Sequence, residues 1–418
     1  MSNGPQPIRD LARPETPLLF RTANFAGCPL ASRLVKLEEE SLLAAARKKT
    51  GLNDFGDDSF REPMRILLKA LDKEASLSAF GRFATRRFII QLLSTRLLLQ
   101  DLLKQHPEIL QEPIESPIVV AGLPRTGTTH LHNLLSQDPA LRYLPYWQTL
   151  EPLPPPDSRP EKGEDPRIKQ CRQALKVIQY IMPLFPAMHE MTVDGPHEEI
   201  QLLAVHFSSM LFETTYHIPG YRDWYKATDH TGAYAYMKTI LQAVQWLHGD
   251  NRRWALKSPQ HLEQFGPLLK VFPDARIVQT HRDPVRITAS LCVMIAYAHR
   301  MNNASVDPVA IGRYWADRTE DLLRASVEDR HLIPKEQVMD VRFSDYMADQ
   351  MGTIKKVYEF AGQPFTEEAE RAIQAFIDAN PKGKHGSVLY RLEDVGIDPA
   401  ERRQALTFYQ EFFDVPDE

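Results

Sequence analysis

The sequence predicts an α/β protein whose central parallel sheet is flanked by helices and preceded by a helical extension. From Ser116 onward, short β-branched runs such as SPIVVAGL alternate with helical patterns. Alternation of this kind produces a parallel sheet covered on both faces. Before Ser116, apolar residues recur only at helical spacing. The 418 residues are 43% hydrophobic and 25% charged, which is enough apolar material for a large core.

The first 115 residues are predicted to form an arm followed by a helical extension. Residues 1–28 are rich in proline, and we expect them to lie on the surface or to be partly disordered. The segment 86–103 is apolar around most of its circumference and is predicted to be buried; a helix lying on a membrane surface is the alternative. Helices are predicted over 33–50, 61–75 and 77–105, the last with a break near Gly81.

Residues 116–418 are predicted to form one α/β domain. The loop 145–166 holds seven prolines, and with the helices of 167–248 we expect it to build an acceptor pocket. Strands are predicted at 116–121, 253–256, 275–280 and 338–343. Helices are predicted at 129–137, 167–182, 197–212, 232–248, 260–270, 284–300, 345–361 and 367–379.

Composition excludes several classes of function. The net charge of −5 gives no basic surface for nucleic acid, and no run of 18 uncharged apolar residues is long enough to span a membrane. Cys28, Cys171 and Cys292 are too far apart for a zinc pattern or a disulfide framework, which favours a reducing compartment. The first residues lack a signal-peptide core, so we expect a cytoplasmic protein.

The segment VVAGLPRTGTTHLHNLL places two glycines, Gly122 and Gly127, between a strand and a helix. This is the frame of a phosphate-binding loop, in which backbone N–H groups and the start of the following helix hold an anion. Thr128 stands where nucleotide triphosphatases have a lysine, while Thr129 keeps the hydroxyl position and Arg125 supplies a cation. The loop therefore predicts an anion site with different chemistry.

The pattern G-x-P-R-[ST]-G-T-T after a strand resembles the loop of sulfotransferases that use 3′-phosphoadenosine 5′-phosphosulfate (PAPS), including the tyrosylprotein sulfotransferases. The later segment YRLEDVGI resembles the tail of a bacterial branch of this family. The resemblance covers about 116–395 and implies a P-loop-containing three-layer fold with PAPS as cofactor. It implies that the 5′-phosphosulfate lies on the loop, with His130 near the adenine; a helix histidine without a role in the site is the alternative for His130. The cofactor-binding residues so implied are Leu123, Pro124, Arg125, Thr126, Gly127, Thr128, Thr129 and His130.

A second phosphate site is predicted at Arg282 and Ser290. Arg282 follows a strand, and Ser290 lies eight residues later on the next helix. The guanidinium fork matches phosphate oxygens, and the family's 3′-phosphate motif has an arginine and a serine in this setting. The alternative is that Arg282 pairs with Asp283.

Further basic residues are predicted near the cofactor. Lys257 ends a strand, at the sheet edge where ligands bind, and the resemblance implies that it contacts the transferring sulfuryl group or the bridging oxygen; a solvated lysine is the alternative. His261 is expected to be a helix-surface histidine, with a place in the site as the alternative. Lys382, Gly383 and Lys384 in PKGKHG resemble the family's loop that closes over the 3′-phosphate; a mobile basic loop is the alternative.

A general base cannot be transferred from the family, because the relatives' motifs for it are absent. The segment HEMTVDGPHEEIQ offers Glu198 as the first candidate and His189 or His197 as the others, and Glu151 is a more distant one. A helix start with acidic residues in its first turn is the non-catalytic alternative.

Together these features predict an enzyme that moves a sulfuryl group from PAPS to a hydroxyl of a small-molecule or lipid-like acceptor by in-line displacement. Arg125 and Lys257 would stabilise the charge that develops. No metal is expected, since no metal-binding pattern is found. The alternatives are a P-loop kinase or NTPase and a non-catalytic nucleotide-binding protein. A peripheral membrane contact and a homo-oligomer stay open.

Overall fold

The computed structural model describes residues 6–155, 164–381 and 388–418. It confirms the α/β class: β2 to β6 form one parallel sheet in the order β3-β4-β2-β5-β6, and β1 pairs separately with β7. The strands are β1 (Gln6–Pro7), β2 (Ile118–Ala121), β3 (Leu141–Arg142), β4 (Arg253–Lys257), β5 (Arg276–His281), β6 (Val338–Arg342) and β7 (Val388–Leu389).

The helical extension is confirmed, but two of its details are wrong. Part of the expected arm is helical, and the helix predicted over 33–50 is two helices, because Val35 leaves the helical conformation and its carbonyl accepts a bond from Arg82. No break occurs at Gly81, which lies in a first turn capped by Ser78. The helices are α1 (Leu18–Leu34), α2 (Glu39–Thr50), α3 (Arg61–Lys73) and α4 (Ala79–Gln105).

The apolar segment 86–103 lies within α4 and is buried, as predicted. Leu92, Leu93, Leu97 and Leu99 join the large core that covers one face of the sheet. The membrane-surface alternative for this segment is therefore wrong, because its apolar side chains are covered by protein. Within the described ranges no helix is long and apolar enough to cross a membrane.

The predicted helices after β2 are mostly present, with two corrections. The expected helix 197–212 is interrupted, because Phe207 adopts the left-handed backbone conformation with φ 60°. The expected loop 145–166 contains a helix, whose start tolerates Pro145. The helices are α5 (Thr128–Leu135), α6 (Tyr146–Leu150), α7 (Pro166–Ile181), α8 (Phe185–Met188), α9 (Ile200–Leu203), α10 (Leu211–Thr215), α11 (Pro219–Lys226), α12 (Thr231–His248), α13 (Phe265–Val271), α14 (Pro284–Ala298), α15 (Pro308–Glu328), α16 (Phe343–Ala348), α17 (Gln350–Ala361), α18 (Glu367–Ala379), α19 (Pro399–Ala405) and α20 (Thr407–Phe413).

Side chains of the central strand β2 alternate between two helical layers, as the predicted three-layer fold requires. Ile118 and Val120 pack in a core that includes residues of α5 and α17. Val119 and Ala121 pack in the core that includes residues of α4 and α12. The extension shares this second core, and the division into 1–115 and 116–418 stays a prediction.

The sheet order places the candidate site. β4 and β5 both pair with β2 in parallel, so the carboxyl ends of these three strands lie side by side. The residues that follow them are the glycine loop after β2, Lys257 at the end of β4 and Arg282 after β5. Ligands of open α/β sheets bind at this edge.

Candidate active site

The glycine loop is held against β5 by close contacts. A Cβ atom on Gly122 would lie 2.1 Å from Thr280 Oγ1, so only glycine allows this approach. Thr126 Oγ1 donates to the Leu123 carbonyl at 2.7 Å and lies 2.6 Å from Thr280 Oγ1. The loop therefore has one fixed shape relative to the neighbouring strand.

Two loop residues have left-handed backbones, Arg125 with φ 78° and Gly127 with φ 90°. For arginine this conformation is strained, and such strain concentrates at ligand sites. Residues that alternate between right-handed and left-handed backbone conformations at the start of a helix form a concavity of N–H groups suited to an anion. Gly127 precedes α5 directly, so the loop has the geometry that its sequence predicts.

The side chain and carbonyl of Arg125 join the loop to its surroundings. Its Nη1 donates at 2.7 Å to the carbonyl of Met188, the last residue of α8. Its own carbonyl accepts a bond from Arg282 Nη1 at 3.0 Å. The structure thus brings together two predicted cations from distant parts of the chain.

Lys257 connects the loop helix to the predicted base. Its Nζ lies 3.4 Å from Thr129 Oγ1 and forms a tight ion pair with the Glu198 carboxylate. The lysine side chain is only 3% exposed, so water screens this pair weakly. Three residues that the sequence singled out separately therefore meet in space.

His189 and His197 lie beside this pair, with ring centroids 6.0 Å apart. Burial lowers the pKa of His189 to about 4, and the positive charge of Lys257 adds to the effect. Burial also lowers the pKa of His197 well below its usual value, and His197 Nδ1 accepts the backbone N–H of Glu198 at 2.6 Å. Both rings are therefore neutral near pH 7, and Nδ1 of His197 is already occupied.

These groups line one cavity of about 530 Å³. The polar residues that line it include Arg125, Thr129, His189, Glu198 and Arg282. Much of the remaining wall is apolar and rich in thioethers. Its methionines are Met182, Met188, Met191, Met210, Met294 and Met301, and its other large apolar side chains include Phe185, Ile200, Leu211, Leu291, Ile295, Trp315, Leu322 and Phe343.

Arg282 does not pair with Asp283, which was the alternative to a phosphate role. Its Nε and Nη2 donate to the carboxylate of Glu418, at 2.9 Å and 2.7 Å, and its guanidinium lies 4.0 Å from the centre of the Phe343 ring. Asp283 instead binds Arg403. Glu418 lies 136 residues further along the chain, and no sequence pattern pointed to it.

Ser290 is buried within α14. Its hydroxyl makes no hydrogen bond of ordinary length with the described residues. The nearest interaction is with Tyr390: burial raises the pKa of that hydroxyl, while Arg125 and Ser290 act in the opposite direction. An unpaired buried hydroxyl costs free energy unless a ligand completes it.

The other predicted residues are placed as follows. His130 lines the cavity and binds Gln350 Oε1 through Nε2 at 2.9 Å. Glu151 lies outside the residues that line the cavity, although burial raises its pKa. Lys382, Gly383 and Lys384 lie outside the described residues.

The expectation that His261 lies on a helix surface is wrong. Its ring is fully buried, and its Nε2 lies 2.5 Å from Oε1 of Glu199, a carboxylate that sequence reasoning missed. The only sequence sign was that these two residues stand near Lys257 and Glu198. Across the described ranges, no group of three or more histidine, cysteine or acidic side chains is arranged to hold a metal ion.

An anion loop after the central strand, with a lysine–glutamate pair at the next strand end, defines a group-transfer site on a parallel sheet. The pattern of the sulfotransferase family matches residues 117–367, more than half of the chain. The chain therefore belongs to the sulfotransferase family and is a transferase with the P-loop type of fold.

Two solved structures support this assignment. Sulfotransferase STF1 from Mycobacterium tuberculosis H37Rv is 31% identical over 89% of this chain and 98% of its own, with a TM-score of 0.77. STF9 from Mycobacterium avium is 29% identical over 91% and 97%, with a TM-score of 0.81.

A curated relative is similar over a shorter stretch. It is the omega-hydroxy-beta-dihydromenaquinone-9 sulfotransferase Stf3 of Mycobacterium tuberculosis (strain CDC 1551 / Oshkosh), 25% identical over 132 residues. This match covers 30% of the present chain and 33% of the relative, so it spans about a third of that protein.

Proposed function

We propose that the protein transfers a sulfuryl group from PAPS to the hydroxyl of an acceptor with a long apolar part. One observation carries this proposal. Thr129 and Glu198 line a cavity whose remaining lining is largely apolar, and the buried Lys257 Nζ contacts both of them from behind that lining. Membership of the sulfotransferase family supports sulfuryl transfer, and the donor and the acceptor class are the proposed parts.

The residues present fit a donor with two phosphate positions. Loop 122–129 would hold the 5′ end through backbone N–H groups, because the left-handed backbones of Arg125 and Gly127 form a concavity of such groups at the start of α5. Arg282 and the unpaired hydroxyl of Ser290 would hold the 3′-phosphate, and Lys382 and Lys384 would close over it. When bound, the donor supplies a sulfuryl group attached to a phosphate that leaves.

Lys257 and Arg125 place positive charge where negative charge grows on the leaving oxygen. The ammonium of Lys257 is already shared, because it pairs with the Glu198 carboxylate. An anion beside Lys257 competes for the same N–H donors and weakens its hold on Glu198. The carboxylate then becomes available to take the proton of an acceptor hydroxyl.

Glu198 is the proposed general base, and His189 is the second candidate. His197 suits the role less, because its Nδ1 already accepts a backbone N–H and its Nε2 then carries the proton. Glu198 ranks above His189 because it holds the ammonium of Lys257, whereas His189 is a neutral ring beside that pair.

The apolar part of the cavity lining, which we call the acceptor end, indicates an amphiphile rather than a sugar. A cavity of about 530 Å³ falls within the usual range of ligand pockets, and its six methionines adapt to flexible apolar chains. A hydroxyl near Glu198 would leave the rest of such a molecule among thioethers and aliphatic groups. The curated relative is named for an omega-hydroxy-dihydromenaquinone, which supports the same class of acceptor.

Labelled PAPS and a panel of acceptors test this function. We expect transfer to ω-hydroxylated alkyl or isoprenoid compounds and little to free sugars. Transfer to sugars alone would overturn the acceptor class. Stabilisation in a thermal-shift assay by ATP·Mg²⁺, with none by adenosine 3′,5′-bisphosphate, would favour the kinase alternative. Bisphosphate binding without transfer to any acceptor would favour a non-catalytic nucleotide-binding protein.

The base is tested by Glu198→Gln with His189→Asn as its matched control. We expect Glu198→Gln to lower kcat by about 10²–10⁴-fold, the usual contribution of general base catalysis, and to leave bisphosphate affinity nearly unchanged. If the histidine variant loses this activity and the glutamine variant keeps it, the base is His189.

A further inference from the structure

Behind the catalytic pair lies a second carboxylate that the proposed chemistry does not use. Glu199 is fully buried, and its Oε2 accepts the backbone N–H of Lys257 at 2.9 Å. Glu198, the preceding residue, binds the Nζ atom of the same lysine. Two consecutive glutamates thus hold Lys257 by its main chain and by its side chain.

The contacts of Glu199 continue away from the cavity. Its Oε1 lies 2.5 Å from Nε2 of His261, in the 3-10 turn after β4. Nδ1 of that ring lies 2.8 Å from the hydroxyl of Tyr234 on α12. Glu199, His261 and Tyr234 are all fully buried, and we call these three residues the buried relay.

One arrangement of protons satisfies every bond of the buried relay. Burial raises the pKa of Tyr234 far above its usual value, so its hydroxyl keeps its proton and donates to His261 Nδ1. Nε2 of His261 then carries the ring proton and donates to Glu199. Burial alone would raise the pKa of Glu199, but the bonds from His261 and from the Lys257 main chain lower it, so the carboxylate is charged.

We propose that the buried relay consists of positioning residues that fix Lys257 and Glu198 for sulfuryl transfer, an inference that rests on the proposed function. The Lys257 N–H donates to the Glu199 carboxylate, so this carboxylate helps to hold the end of β4, where Lys257 is also in register with Val120 of β2. Any shift of the 198–199 segment moves both the cation and the proposed base. Small displacements of such groups lower rates strongly.

The alternative is that the buried relay only stabilises the fold. Tyr234→Phe and Tyr358→Phe separate the two roles. Each removes one buried hydroxyl, and Tyr358 donates to Asp138 Oδ2 at 2.9 Å among residues that do not line the cavity. If the relay were merely structural, both variants would lose stability and leave turnover equal.

For Tyr234→Phe we expect kcat to fall about three- to tenfold, the effect of one lost hydrogen bond, with bisphosphate affinity unchanged. For Tyr358→Phe we expect wild-type kcat. Equal kcat values in the two variants would overturn the proposal, as would a loss of bisphosphate affinity that matches the loss of turnover.

Glu199→Gln tests the charge while it preserves the bonds. A glutamine can still accept the Lys257 N–H, and its amide can donate to His261 if the ring changes tautomer. We expect the protein to stay folded and kcat to fall at least tenfold. A variant that keeps full turnover would show that the charge of Glu199 does not matter and would overturn its part in the proposal.

A measurement without turnover separates this proposal from the proposed function. Hydrogen exchange of the Lys257 amide reports its bond to Glu199 directly, and we expect faster exchange in Tyr234→Phe than in Tyr358→Phe. Faster exchange in a protein that transfers no sulfuryl group would refute the proposed function and keep the positioning contact. Equal exchange rates would refute the positioning contact.

Discussion

The polar part of the cavity, which we call the donor end, and the apolar acceptor end are built in different ways. The donor end consists of strand ends and one loop, fixed by specific bonds such as Thr126 to Thr280 and Arg282 to the Arg125 carbonyl. The acceptor end is lined by helices and connections that supply six methionines. A fixed end suits a donor that is the same in every turnover, and a deformable end suits acceptors of varied shape.

The largest effect is expected at the donor end. Lys257→Ala should lower kcat by about 10²–10³-fold, the usual effect of removing one group that stabilises transition-state charge. Bisphosphate affinity should change much less, because the phosphates rest on the loop and on Arg282. Lys226→Ala is the matched control, since Lys226 forms only a surface pair with Asp321. Unchanged turnover in the first variant would remove Lys257 from the mechanism.

Arg282→Ala tests the second phosphate position of the same end. Loss of charge-assisted hydrogen bonds should weaken bisphosphate binding by about 10–100-fold in calorimetry. Arg342→Ala is the control: it removes an arginine that forms an ion pair with Asp414, and it should leave bisphosphate binding unchanged. An affinity equal to wild type would refute the 3′-phosphate assignment of Arg282.

Met294→Gln tests the acceptor end. A polar amide in an apolar wall should raise KM for a long-chain acceptor by about five- to tenfold and leave bisphosphate affinity intact. Met347→Gln introduces the same change on α16, outside the cavity, and should leave KM as it is. If Met294→Gln weakened bisphosphate binding as well as raising KM for the acceptor, the division between donor and acceptor functions would be incorrect.

Glu418→Gln should have the smallest effect. Its carboxylate covers two donor atoms of Arg282, which a 3′-phosphate also needs. Releasing such a partly exposed pair should raise bisphosphate affinity about two- to fivefold. Glu411→Gln on the exposed side of α20 is the control. A lower affinity after Glu418→Gln would mean that the carboxylate supports the phosphate site.

The contrast between the two ends also explains what the sequence could predict. The loop, Lys257 and Arg282 follow strands, and a parallel sheet brings the ends of its strands to one edge regardless of other details. Glu198 was found because acidic residues cluster near it in the sequence. The contact of Glu198 with Lys257 could not be predicted, because Glu198 precedes α9 and the single helix predicted over 197–212 does not form.

Contacts between distant segments of the chain could not be predicted from the sequence. The bond from Tyr234 to His261 and the ion pair of Glu418 with Arg282 join residues that share no local pattern. His261 in particular has the spacing of an ordinary helix residue, and only the packing of α12 against the turn after β4 buries it. Burial of this kind is decided by tertiary structure.

The methionine wall has a chemical consequence of its own. Thioethers that face a solvent-accessible cavity are open to oxidants, and each sulfoxide formed replaces an apolar contact with a strongly polar one. Six such side chains expose the acceptor end to oxidation, whereas Arg125, Thr129, Glu198 and Arg282 at the donor end carry no thioether. Peroxide should therefore abolish acceptor recognition before nucleotide binding, and methionine sulfoxide reductases should restore it.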